Sequence, residues 1–275
     1  MEHLKVGEVI SKRRKELGLT QNQLAQSVDI SFQAVSKWEN NVAKPDIEML
    51  PKLAAILHTT VDALLGYKSA ATDYDRRYNI KDYYWGLVPN SICYEFMKIL
   101  PPIRPYRVLD IGCGEGKDAI FLAKCGYEVS AFDISAQGIE KAKRLAEYNK
   151  VEVNFFKADI FDYCPDRNYD IIFSSGVIHI LPQALRKEFC DNYKSHTEDK
   201  GINVLNVFVQ RPFIAPAPDS TKDEDKYPWR SGELFGYYHD WLLHTCREEI
   251  FDCGSGGTPH KHCMDSMIAQ RIKDG

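Results

Sequence analysis

Val108-Leu109-Asp110-Ile111-Gly112-Cys113-Gly114-Glu115-Gly116 is the stretch from which the fold is read. An apolar run ends in an acid and then in three alternating glycines. Gly112 and Gly114 let the backbone turn sharply and approach a ligand closely, and Gly116 allows close packing of a following helix. The next apolar run ends in Phe132-Asp133-Ile134-Ser135, with the acid 17 residues beyond Gly116. A carboxylate there can accept two hydrogen bonds from a ribose diol. That spacing alone also suits a nicotinamide dinucleotide. The glycine pattern does not, because the dinucleotide fingerprint is G-x-G-x-x-G and this run is D-x-G-x-G-x-G.

Outward from this loop the chain alternates strand and helix. Short β-branched or aromatic runs occur at 107–111, 128–132, 151–156, 169–173 and 202–209. Helical stretches lie between them at 116–124, 135–149 and 183–198. This spacing implies a parallel sheet covered on both faces. Residues 211–230, rich in Pro and charge, are expected to form a long loop of the kind that serves as a lid. The first 66 residues differ: their apolar positions recur every three or four residues, as in short amphipathic helices. Residues 68–83 are polar and tyrosine-rich and read as a linker, giving domains at 1–67 and 84–275.

The 275 residues are 44% hydrophobic and 27% charged, with a formal net charge of -4. That is the profile of a globular protein, and it excludes a wholly basic nucleic-acid coat. No apolar run is long enough to span a membrane. Eight cysteines without a C-x-x-C pair, and no leader-like start, read as free thiols in a cytoplasmic protein.

The glycine loop, Asp110, Asp133 and the strand ending Lys157-Ala158-Asp159-Ile160 together resemble the class I S-adenosylmethionine-dependent methyltransferases. The resemblance implies an α/β Rossmann-like fold with a mostly parallel seven-stranded sheet and an antiparallel last strand. It implies S-adenosylmethionine as cofactor, with Asp133 on the ribose and Asp159 beside the adenine. The implied cofactor residues are Trp85, Asp110, Gly112, Cys113, Gly114, Gly116, Asp133, Ile134, Asp159, Ile160 and Ser174.

Tyr84-Trp85-Gly86 and Gly232-Glu233-Leu234-x-x-Tyr237-Tyr238-x-x-Trp241 narrow the resemblance to the tellurite-resistance methyltransferase family. Gly257-Thr258-Pro259-His260-Lys261 is similar to that family's Gly-x-x-His-Arg at the active-site mouth. His260 and Lys261 would then face a small-molecule methyl acceptor, a chalcogen or metalloid oxyanion, a thiol or a xenobiotic. Lys replaces the family's Arg, so bidentate capture of an oxyanion is lost. The family's acidic, glycine-rich insert is missing, and His262-Cys263 leads directly into the last strand, 264–272. His179 and Arg211, at the ends of the fourth and fifth strands, are further candidates for the acceptor site. No metal is expected: Cys246 and Cys253 are seven apart, and His262 and Cys263 fall on opposite faces of a strand.

Thr20 to Asn40 carries two capped helices separated by a short turn, as in a helix-turn-helix. With Arg13-x-x-Glu16-x-Gly18-Leu19-Thr20-Gln21, Val35-Ser36-x-Trp38-Glu39-Asn40 and Leu64-Leu65-Gly66, the segment resembles the Cro/C1 phage-repressor family. The resemblance implies a five-helix all-α domain. Gln21 would meet a DNA phosphate, and Phe32, Gln33, Ser36 and Lys37 would face the major groove, with a homodimer reading two half-sites. Residues 1–68 hold nine Lys/Arg and eight Asp/Glu, so a protein-binding role without DNA is the alternative. For the whole chain the alternative to an enzyme is a regulator that senses S-adenosylmethionine without turnover.

Overall fold

The computed structural model describes residues 6–57, 59, 61–65, 73–215, 227–254 and 258–272. The chain divides into two compact units, residues 1–70 and 71–275. No described helix is long and apolar enough to cross a membrane.

In the first unit α1 (Val6–Glu16), α2 (Gln21–Ser27), α3 (Phe32–Glu39), α4 (Leu50–Ile56) and α5 (Val61–Leu64) surround a core of Ile10, Leu24, Val28, Val35, Leu53 and Leu57. Thr20 caps α2 in a full capping box with Gln23, and Ser31 caps α3. Both caps satisfy amide donors that a helix start leaves open. Gly7 sits where α1 crosses α3. A Cβ there would lie 1.8 Å from the Trp38 carbonyl oxygen, so only glycine permits this crossing. Gly66, expected to close the last helix, lies outside the described residues.

The second unit is a sheet of seven strands: β1 (Arg107–Ile111), β2 (Glu128–Asp133), β3 (Asn154–Lys157), β4 (Tyr169–Ser174), β5 (Thr197–Phe208), β6 (Leu242–Cys253) and β7 (His260–Gln270). Their order is β3-β2-β1-β4-β5-β7-β6. The first five pair in parallel, and β7 runs antiparallel to both β5 and β6. The helices are α6 (Asp73–Tyr78), α7 (Ser91–Ile99), α8 (Lys117–Lys124), α9 (Ala136–Asn149), α10 (Gln183–Ser195) and the single turn α11 (Glu233–Gly236). Alternate residues of β1 serve the two layers. Val108 packs with Phe96, Leu122 and Ile139, while Leu109 and Ile111 pack with Phe189, Tyr193 and Trp229. Both faces are covered, as the near-continuous apolar strands require.

The linker expected over 68–83 is corrected. Asp73–Tyr78 is helical, Tyr78 is buried, and the segment after it is held by the Lys141 ammonium. Lys141 Nζ donates to the carbonyls of Tyr78, Ile80 and Asp82 and ion-pairs with Glu115 at 2.5 Å. A buried ammonium needs that many acceptors. Residues 73–83 are therefore part of the second unit, and 68–72 lie outside the described residues.

The Gly232–Trp241 motif is an anchor. Glu233 accepts from Arg186 at 2.8 Å, and that guanidinium, 1% exposed, lies 4.1 Å over the Trp229 ring. Tyr238 Oη accepts from Asn203, and the Gly232 amide donates to Asp265.

Candidate cofactor and acceptor cavity

The glycine turn follows β1. The Cys113 amide donates to the Phe132 carbonyl, and the Gly116 amide to the Cys113 carbonyl. Gly112, Gly114 and Gly116 all have positive φ, at 69°, 53° and 86°. Asp133 closes the turn from β2: one carboxylate oxygen accepts from the Gly114 amide at 2.9 Å, the other from the Ser135 amide at 2.8 Å. Burial pushes this carboxyl up to about 6, against the opposing pull of those two amides. Asp110 is 2% exposed; burial and nearby carboxylates raise its pKa far above the usual range, and its Oδ2 has no hydrogen-bond partner among the described residues.

These groups open onto one cavity of about 830 Å³. Asp110, Gly112, Cys113, Gly114, Asp133, Ile134, Asp159, Ile160 and Trp85 line it. His179, Arg211 and Lys261 line its other reaches, with Phe208 and His262. Phe208 sits between two imidazoles, its ring centroid 5.1 Å from His179 and 4.5 Å from His262.

Three expectations are corrected. Gly116 does not line the cavity. It precedes α8, and a Cβ there would lie 2.7 Å from the Ala142 Cβ, so its role is close approach of the α8 start to α9. Ser174 is fully buried and donates to the Ile111 carbonyl, whereas its neighbour Ser175 lines the cavity. Successive residues of a strand face opposite ways, which accounts for the shift by one. His260 does not line the cavity; its Nε2 lies 2.9 Å from His262 Nε2.

The two cations expected to meet an acceptor have partners. Arg211 is bonded to both carboxylate oxygens of Glu248 through Nη2, and Lys261 Nζ lies 2.7 Å from Asp252. The middle of the expected lid, 216–226, and Gly257 lie outside the described residues. The ends of the lid, Pro212, Ile214, Tyr227 and Pro228, line the cavity.

Several wall residues were not expected. Tyr78 lies over the glycine loop: a Cβ on Gly114 would be 2.9 Å from its hydroxyl. The Trp85 indole donates to that hydroxyl at 3.1 Å. Ser175 Oγ accepts from the amides of Asn90 and Asn206. Cys253 also reaches the cavity. The β6–β7 register pairs it with His260, and its Sγ and the two ring nitrogens of His260 and His262 lie within 4.8 Å of one another.

On the first unit, Phe32 is 43% exposed, and Gln33 and Lys37 are exposed on the α3 face opposite Val35 and Trp38. Ser36 is half-buried. Gln21 is engaged within the fold. Its amide donates to Glu39 at 2.7 Å, beside the Arg14–Glu39 ion pair.

The residues present fit S-adenosylmethionine. A carboxylate with open lone pairs stands where a ribose diol is recognised. An unpartnered buried carboxylate oxygen on Asp110 suits an ammonium, and the glycine loop leaves room beside the backbone that any Cβ would fill.

Residues 74–257 match the family described as tellurite resistance protein TehB, and residues 10–64 match a helix-turn-helix family. Two strains of Haemophilus influenzae have relatives named "Probable S-adenosyl-L-methionine-dependent methyltransferase TehB". One is 27% identical over 62% of this chain and 58% of its own length; the other is 25% identical over 78% and 72%. One solved structure, TehB from Haemophilus influenzae, has a TM-score of 0.58 at 24% identity, covering 72% of this chain and 65% of that one. A second, titled for conversion of a disulfide bond into a thioacetal group during echinomycin biosynthesis, has a TM-score of 0.56 at 19% identity, covering 74% and 91%. The chain thus spans between about three fifths and three quarters of the Haemophilus relatives' length. Glycine loop, strand-end acids, sheet order and family match agree, and the chain belongs to the TehB family of tellurite resistance proteins, with a helix-turn-helix segment ahead of that match.

Proposed function

We propose that the chain is an S-adenosylmethionine-dependent methyltransferase acting on a small soft nucleophile, a thiol before an oxyanion, and that its first unit binds DNA. The observation that carries the enzymatic reading is one continuous cavity running from the glycine loop and Asp133 to the wall of His179, Phe208 and His262. When bound, the cofactor supplies a methyl group already activated on a sulfonium sulfur.

The chain's own residues bind, orient and exclude water. Asp133 would accept from the ribose hydroxyls, Asp159 would face the adenine, and Asp110 Oδ2 would receive the ammonium. Tyr78 and Trp85 cover the glycine loop, and Phe208 dries the acceptor end, where a desolvated nucleophile reacts faster. The His179 imidazole takes the thiol proton. Arg211 and Lys261 are paired with Glu248 and Asp252, which supports a soft acceptor over a doubly charged oxyanion.

The first unit supports DNA binding through Phe32, Gln33 and Lys37, with Ser36 flanking them, in a five-helix repressor-like domain. A homodimer would place two α3 helices about one helical turn apart. The acceptor is tested with purified chain, labelled S-adenosylmethionine and a panel of thiols, selenite, tellurite and small aromatic amines. Thiols are expected to be labelled. Cofactor binding with no labelled product from any acceptor would replace the enzyme with a cofactor-sensing regulator.

A further inference from the structure

The β6–β7 hairpin builds a second chemical site beside the cavity. Its register sets Cys253 opposite His260 and Phe251 opposite His262. Residues two apart on a strand share a face, and a directly opposed pair shares that face across strands. Cys253, His260 and His262 are therefore presented together, each half-buried and within reach of solvent. Asp252 and Lys261 alternate to the other side, where they pair with each other.

The imidazoles are oriented for metal binding. His260 Nδ1 lies 2.7 Å from the Thr258 carbonyl oxygen. A carbonyl only accepts, so Nδ1 carries the hydrogen and donates it, which leaves the Nε2 lone pair outward. A ring nitrogen fixed in this way by a backbone carbonyl is the usual support of a metal-ligating histidine. That lone pair points to His262 Nε2 at 2.9 Å. Without metal His262 Nε2 carries the hydrogen of this contact; metal binding moves it to His262 Nδ1, and the ion takes its place between the two nitrogens.

We propose that Cys253, His260 and His262 bind a borderline-soft divalent metal ion, zinc(II) fitting best. One thiolate and two imidazoles exclude magnesium and calcium, which take oxygen ligands. Zn–N bonds of about 2.05 Å at a tetrahedral angle hold two nitrogens about 3.3 Å apart, and a Zn–S bond of about 2.3 Å puts sulfur about 3.6 Å from each. The imidazoles need to spread by about 0.4 Å from their 2.9 Å separation, and Sγ moves inward by side-chain rotation. Three protein ligands leave one tetrahedral position for solvent or an exogenous ligand, the pattern of open zinc sites. Cys253 and His262 line the cavity, so the ion stands in its wall. The site does not depend on methyl transfer.

The test uses the full chain, reduced and stripped of metal, titrated with cobalt(II) and then with zinc(II). The expected result is one cobalt per chain with tetrahedral d–d bands and a thiolate-to-cobalt charge-transfer band, all displaced by zinc. Zinc should also raise the melting temperature. Cys253→Ser should abolish the charge-transfer band and the thermal shift. His260→Gln and His262→Gln should each weaken binding by more than the about tenfold that loss of an outer-shell partner costs. Cys246→Ser and Cys164→Ser, which change the exposed thiols, should leave the band in place. No cobalt uptake by the reduced wild type at micromolar concentration overturns the proposal. So does a charge-transfer band that survives Cys253→Ser, or unchanged affinity in both histidine variants.

Discussion

Asp133 predicts how cofactor affinity depends on pH. Its carboxyl is 7% exposed and pushed up to about 6 by burial. In the proposed site ribose hydroxyls would donate to the ionised form, so binding would favour carboxylate and lower its pKa in the complex. Affinity must therefore fall as pH drops through about 6. With a free-protein pKa of about 6, roughly nine tenths of the chains carry the charged form at about pH 7 and roughly one tenth at about pH 5. Affinity should fall about tenfold between those values, equal to about 1.4 kcal/mol. An α-amino group titrates above this window, near 7.7–8.0, so the cofactor's own ammonium adds little. For folding the sign is reversed. A carboxyl whose pKa is raised from 3.8 makes the cofactor-free protein lose stability as pH climbs from about 4 to about 6, by about 3 kcal/mol in all. The assay is calorimetry in two buffers of different ionisation enthalpy, which reads both affinity and the proton released. Asp133→Asn should bind weakly and with a shallower pH dependence, the remainder coming from Asp110, whose carboxyl is also raised. A wild-type affinity that stays flat between about pH 7 and pH 5, or a dependence equally steep in Asp133→Asn, refutes the assignment.

Gly116→Ala should cost about 1–2 kcal/mol for the left-handed backbone and about 1–3 kcal/mol for the clash with Ala142, lowering the melting temperature by roughly 10 °C. Gly7→Ala should separate α1 from α3, seen as faster proteolysis of residues 6–64, while calorimetry finds cofactor affinity unchanged. Arg186→Ala leaves Glu233 without its buried partner and should cost about 3–5 kcal/mol by urea unfolding. Lys37→Ala should weaken DNA binding evenly across sequences and reduce the salt slope by about 1 in a gel-shift series; an unchanged slope would favour the protein-binding reading.

The parts of the fold legible in sequence are those set by contiguous residues. The glycine turn, the acids at strand ends, both helix caps of the first unit and the central parallel strands each have a local pattern. What escaped depends on partners distant in sequence. Residues 73–83 have no apolar period, yet Tyr78 is buried because α6 packs on α9 and Lys141 gathers the carbonyls that follow. β6 carries Arg247, Glu248, Glu249 and Asp252 in twelve residues, a composition that hides a strand paired only along β7. Cys253, His260 and His262 follow no metal-ligand spacing because a hairpin register brings them together. Gln21 stands at the start of α2 as expected, but Arg14 and Glu39 form a pair that draws its amide inward.

The place of β6 at the end of the sheet bears on how the protein behaves at high concentration. Twelve residues of strand have a neighbour on one side only, among the described residues. The other side presents a row of amides and carbonyls to any passing strand. Leu242, Leu243 and Ile250 are exposed along it, which would make that row adhesive. Arg247, Glu248, Glu249 and Asp252 interrupt the apolar positions, and each foreign strand that added there would have to bury or repel them. Neutralising those four charges would turn the edge into a nucleus for intermolecular pairing. The charges that obscure the strand in sequence are thus its guard against aggregation.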